Sequence, residues 1–146
     1  MLGISKAADY SILVVGFLAG RNDNAVYTKD DLASALNLPA EFLSKVLQKL
    51  VKAEIVASVK GIHGGYRLLK TPAEITLREV IEVIEGPSHM VSCLEDDFKD
   101  CGRQQICQPI IEKLRAVENQ VTAILEKINF TELIPYIPSK DSKGNK

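Results

Sequence analysis

Residues 39–69 read PAEFLSKVLQKLVKAEIVASVKGIHGGYRLL. Phe42, Leu43, Val46, Leu47 and Leu50 recur at spacings of three and four, so they line one face of a helix for which Pro39 suits the first position. The opposite face carries Ser44, Lys45, Gln48, Lys49 and Lys52, a polar and basic stripe pointing away from a core. Residues 55–60 then alternate as a strand, residues 61–65 form a glycine-rich turn, and residues 66–69 give a second short strand. The stretch is therefore an amphipathic helix running into a β-hairpin.

Working outward, Thr28-Lys29-Asp30-Asp31 supplies a capping residue with acids in the first turn, predicting a helix over 29–36 that Asn37-Leu38-Pro39 breaks. Further upstream, Ser5 caps an apolar helix that stops at Gly20. Downstream, Thr76 caps a helix over 77–85, ended by Gly86-Pro87. Residues 88–108 then read as a polar loop, long enough to need a functional reason. Pro109 opens a long helix whose apolar positions Ile110, Leu114, Val117, Val121, Ile124 and Ile128 keep a heptad spacing. That narrow seam predicts a helix–helix contact between subunits, with packing on the chain's own domain as the alternative. The expected divisions are a compact domain over 1–87, a cysteine loop over 88–108, a dimerisation helix over 109–130 and a polar tail over 131–146. The fold class is mainly α with a small β-hairpin wing.

Composition bounds the classes of function. The chain has 146 residues, 46% hydrophobic and 25% charged, a globular balance that excludes disordered and disulfide-scaffold chains. Its longest apolar run, residues 12–19, is far short of the roughly 20 residues that a membrane-spanning helix needs. Asp9 interrupts the approach to that run and no A-x-A site follows, so no secretory signal is expected and the cytoplasm is the expected location. The net charge of -1 conceals an uneven distribution. Between residues 40 and 70, Lys45, Lys49, Lys52, Lys60, Arg67 and Lys70 stand against Glu41 and Glu54, a local +4.

Two short helices joined by a tight turn and followed by a hairpin form the order of a winged helix-turn-helix, in which the second helix enters the major groove of DNA. On that reading Ser44, Lys45 and Gln48 reach base edges, while Lys49, Lys52, Lys60 and Arg67 hold phosphates. Gly61, with Gly64 and Gly65, allows close backbone approach at the wing. An enzyme is the competing class, but the chain has only His63 and His89, no phosphate-binding loop, and no nucleophile with an evident base.

All three thiols fall within fifteen residues as Cys93-x7-Cys101-x5-Cys107, separated by charged and polar residues that form no core. In a reducing compartment this favours metal binding or redox chemistry over disulfides. An iron-sulfur cluster, a zinc site and a thiol redox switch all meet that description, and spacing alone does not separate them.

Residues 4–10 (ISKAADY), the wing SVKG at 58–61 with GGYRL at 64–68, and EITL at 74–77 running to IEG at 84–86 together resemble the Rrf-two family of bacterial transcription regulators. The resemblance covers about residues 2 to 130. It implies a homodimer exchanged through the long carboxy-terminal helix, binding a pseudo-palindromic double-stranded DNA site, with an iron-sulfur cluster on three cysteines in many members. The expected function is thus promoter binding controlled by a cluster that senses iron-sulfur status, nitric oxide or redox stress. The sequence departs from the family pattern at His63, where a small residue is commoner, and in its first cysteine gap of seven rather than five. A histidine three residues after the last cysteine completes the cluster in some members, and here that position is Ile110. In others an aspartate near the amino terminus of the opposite subunit does so, a role that the match assigns to Asp9, with His89 and Glu112 as further candidates. A plain solvated acid in the first turn of a helix is the alternative for Asp9.

Overall fold

The computed structural model describes residues 3–21, 24–87, 89–90 and 101–136. Helix α1 (Lys6–Ala19) starts where the Ser5 hydroxyl accepts from the Ala8 amide and ends at Gly20. Helix α2 (Lys29–Leu36) opens on a reciprocal capping box: the Asp31 amide donates to the Thr28 hydroxyl, and the Thr28 amide donates to the Asp31 carboxylate. It closes at Asn37 in the left-handed conformation, φ 53°. Helix α3 (Ala40–Lys52) follows at once, with Pro39 as its cap rather than its first residue. Strands β1 (Val56–Val59) and β2 (Gly65–Leu68) pair antiparallel, from Val56 opposite Leu68 to Val59 opposite Gly65.

Tyr27 adds a rung the sequence reading did not foresee. Its amide donates to the Tyr66 carbonyl at 2.9 Å, and the Tyr66 amide donates back at 2.7 Å. A Cβ on Gly65 would sit 2.5 Å from the Tyr27 carbonyl oxygen, so this close crossing needs glycine at its φ of 152°. A 3-10 turn (Pro72–Glu74) leads to α4 (Leu77–Glu85), capped by Thr76 as expected.

The core lies where α1, α3 and α4 meet the base of the hairpin, around Val14, Val15, Leu43, Leu47, Leu50, Ile55, Ile75 and Val80. Phe42, assigned by its spacing to that face, sits instead at its margin, 36% exposed and edge-on against Tyr10 with ring centroids 5.2 Å apart. The mainly helical fold with a two-stranded antiparallel hairpin is as the sequence implied.

Beyond α4 the structure corrects the expected boundaries. Helix α5 spans Gln104–Lys127, so it begins five residues before Pro109, which lies inside it. Proline has no N–H, and the Gln105 carbonyl therefore loses its partner four residues on. Within α5 the expected seam is divided between two faces. Ile110, Val117 and Ile124 are 62%, 44% and 59% exposed and recur every seven residues. Leu114 and Val121 are half-buried, Val121 lining with Ile81 and Leu125 an apolar cavity of about 680 Å³ beside α4. Arg78 of α4 ties the helices together through Glu126 at 3.2 Å.

The chain then returns to its own domain. The Leu77 amide donates to the Ile128 carbonyl and the Phe130 amide to the Ile75 carbonyl, and α6 (Phe130–Leu133) seats Phe130 fully in the core. The compact portion thus does not stop at residue 87, and the first residues of the expected tail are structural. Residues 137–146 lie outside the described residues. No helix of the described residues is long and apolar enough to cross a membrane.

Candidate nucleic-acid interface and cysteine segment

Burial of Leu43, Val46, Leu47 and Leu50 fixes which face α3 turns outward. Lys45, Gln48, Lys49 and Lys52 stand on that exposed face. Ser44 is half-buried and its hydroxyl donates to the Ala40 carbonyl at 3.3 Å, so its proton serves the helix first. Lys49 has a further partner: its Nζ donates to the Ile84 carbonyl in the last turn of α4 at 3.0 Å. A cation at this end of a helix also meets the negative pole of the dipole. Sequence spacing gave no sign of this tie across 35 positions.

At the wing, Lys60 is exposed and Gly61 has φ 113°, a conformation that side chains resist. A Cβ on Gly64 would collide with the Val59 carbonyl oxygen. Ile62 is 99% exposed at the tip, and His63 is exposed beside it. Arg67 lies toward the other end of the hairpin, half-buried, with Nη1 3.4 Å from the Leu68 carbonyl. It shares with Arg21 and Lys70 a cavity of about 320 Å³. Of the eight residues assigned to DNA, Lys45, Gln48, Lys49 and Lys52 share the exposed face of α3 with Ser44 half-buried beside them, Lys60 and Gly61 stand at the wing tip, and Arg67 lies at the wing base.

Of the three cysteines, Cys93 lies outside the described residues. Cys101 and Cys107 are free and half-buried. The Cys101 carbonyl accepts from the Gln104 amide at 3.2 Å, and Cys107 sits in the first turn of α5 with its own amide donating to Arg103 at 3.0 Å. That amide is therefore bonded within the helix. Asp9 is exposed in the first turn of α1. No set of three metal-binding side chains converges among the described residues, and Asp9 does not join Cys101 and Cys107 there. The two described thiols nonetheless suit an iron-sulfur cluster in chemistry, being uncrosslinked and partly shielded from water. His89 Nδ1 lies 2.8 Å from Glu118 Oε1, which ties the chain just after α4 to α5. Glu112 is exposed on α5, accepting from Gln108 at 3.2 Å.

Comparison with known proteins places these features. The model of a family described as Rrf2, iron-dependent transcriptional regulator, matches residues 4–136. The HTH-type transcriptional regulator NsrR of Bacillus licheniformis is 33% identical over 104 residues, 71% of this chain and 73% of its own. Among solved structures, CymR, the global cysteine regulator of B. subtilis, aligns with a TM-score of 0.72 at 27% identity, over 94% of this chain and 100% of CymR. IscR of T. potens aligns with a TM-score of 0.68 at 21% identity, over 99% and 93%, a likeness of fold. These relatives are transcriptional regulators rather than enzymes. The family match runs from just before α1 to the turn after α6, taking in the whole sequence of elements rather than one motif, and the chain belongs to the Rrf2 family of transcriptional regulators.

Proposed function

We propose that this regulator binds a pseudo-palindromic promoter site as a homodimer, and that an iron-sulfur cluster on Cys93, Cys101 and Cys107 controls its affinity. One relationship supports the coupling above all. Lys49, on the basic face of α3, holds the last turn of α4, and the chain that leaves α4 carries the three cysteines. A change in the cysteine segment therefore acts on the element against which the DNA-reading helix is fixed. Coupling of this kind requires that the two states of the segment differ in free energy with and without DNA. When bound, a cluster supplies redox and nitric-oxide reactivity on the three thiolates, with Asp9 of a partner subunit as the fourth ligand. A carboxylate is a harder ligand than thiolate, so that position is the labile one. The exposed heptad stripe of Ile110, Val117 and Ile124 supports the dimer.

The test is purification without oxygen, an absorption spectrum, and DNA binding measured before and after cluster removal. A visible charge-transfer band that vanishes together with a change in affinity supports the reading. The likeness to a global cysteine regulator favours a second reading, in which the cysteines act as a thiol switch. A colourless protein whose DNA binding responds to a thiol oxidant selects that one, and a colourless protein with bound zinc selects a zinc site.

A further inference from the structure

We propose that the cavity at the base of the wing is an oxyanion site built by Arg21, Arg67 and Lys70. It lies between the end of α1, the chain at Asn24 and Ala25, the end of β2 and the 3-10 turn, with a volume of about 320 Å³. That is about ten times a water's share of liquid volume and at the lower end of the range for small-ligand pockets. Three cations line it, and none of the described lining residues is acidic. Lys70 is paired with Glu79 of α4. The two guanidinium groups have no ion pair among the described residues.

Arg21 is half-buried and held in place by two rings. Its guanidinium carbon lies 4.6 Å from the centre of the Phe17 ring and 5.8 Å from that of Tyr27. Its Nη2 is buried with no hydrogen-bond partner among the described residues. A buried charged donor left unsatisfied is costly, and it is removed most directly by an acceptor that carries negative charge. Arg67 contributes a second planar fork, engaged among the described residues by the long contact to Leu68 alone. Two forks beside one cavity match the geometry of a phosphate or carboxylate group, which accepts in pairs. The site is at the end of the hairpin away from Gly61, so its occupant is not an anion already served by the wing tip or by α3.

The oxyanion has two sources: a backbone phosphate of DNA flanking the recognised site, or a free small anion. Only the first rests on the proposed DNA binding. The full chain is titrated with inorganic phosphate against chloride at matched ionic strength, following the melting temperature. The variants are Arg21→Gln and Arg67→Gln, so that a folding defect in one leaves the other to decide. Saturable stabilisation of the unaltered chain, lost in a folded variant, establishes a free-anion site whether or not DNA binds. Without saturation, a fall of about 0.9 in the slope of log affinity against log salt in a variant, with sequence preference kept, assigns the DNA phosphate. Neither response in a folded variant overturns the site. A chain that fails to bind DNA under any condition removes the proposed function, while the phosphate titration still decides this one.

Discussion

The ammonium of Lys49 donates to the main-chain carbonyl of Ile84 at 3.0 Å, joining the outer face of α3 to the last turn of α4. Replacing Lys49 by Met removes a charge-assisted bond at a helix end, which is worth about 1–2 kcal/mol. Urea denaturation should show that loss, while the salt dependence of DNA binding stays near that of the parent. An unchanged stability with a flattened salt dependence would return Lys49 to the phosphate contacts.

Lys52 has no such tie among the described residues and stands exposed on the same face as Lys45 and Gln48. Lys52→Ala should weaken binding to all sequences alike and reduce the salt slope by about 0.9. Lys45→Ala or Gln48→Ala should instead change which base is preferred, at about 1–3 kcal/mol for each lost contact. Comparison of matched and mismatched duplexes separates the two, and equal losses on both would sink the base-reading role of α3.

Val117 offers the cleanest test of assembly, because it is exposed at the centre of the Ile110, Val117, Ile124 stripe. Val117→Asp should give monomers by sedimentation with little change in the melting point of the monomer fold. Burying that charge in a subunit contact is costly, whereas leaving it in water is not. Val121→Asp places the charge in the cavity beside α4 and should destabilise the fold as well. A Val117→Asp protein that remains dimeric excludes the stripe as the contact.

If a cluster is bound, Cys101→Ser and Cys107→Ser should each abolish its absorption, as should Cys93→Ser. Asp9→Ala should keep the dimer and leave a cluster that decays faster with a shifted spectrum. An Asp9→Ala protein with the parental spectrum and decay would move the fourth ligand to His89 or Glu112.

Glu74 sets an acid response. The main-chain amide of Thr71 and then its hydroxyl donate to the Glu74 carboxylate, at 2.9 and 2.8 Å, and with Lys70 nearby they hold its carboxyl below the ordinary range. A carboxylate so depressed stabilises the fold above its unfolded pKa, and that contribution is lost as pH falls through the folded one. Glu74→Gln should therefore flatten the acid limb of stability below about pH 4. An acid limb unchanged in Glu74→Gln would show that other carboxylates carry it.

The helix starts at Ser5, Thr28 and Thr76 were legible because each is decided locally, by an oxygen placed to accept from amides three residues ahead. The start of α5 was not, because Arg103 caps it with no side-chain bond and Pro109, usually a first-turn residue, lies deeper in the helix. Helix α6 does carry a local signal: Asn129 followed by Glu132 has the spacing of a capping box, and Asn129 accepts from the Thr131 amide. The ties of Lys49 to Ile84 and of Arg21 to Phe17 and Tyr27 are products of tertiary packing, which no local pattern encodes. Periodicity assigned α3 its two faces correctly, yet it set Phe42 on the buried one because it weighs hydrophobicity and not the distance to the core.

Pro109 gives α5 a place to tear. Since the Gln105 carbonyl already lacks its donor, unwinding the turn that carries Cys107 breaks one main-chain bond fewer than it would in an uninterrupted helix. A helix without this interruption would transmit any rearrangement of Cys107 along its whole length, loosening Ile111 and the contacts with α4. With it, the thiol sits beside a perforation, the place where α5 yields at least cost.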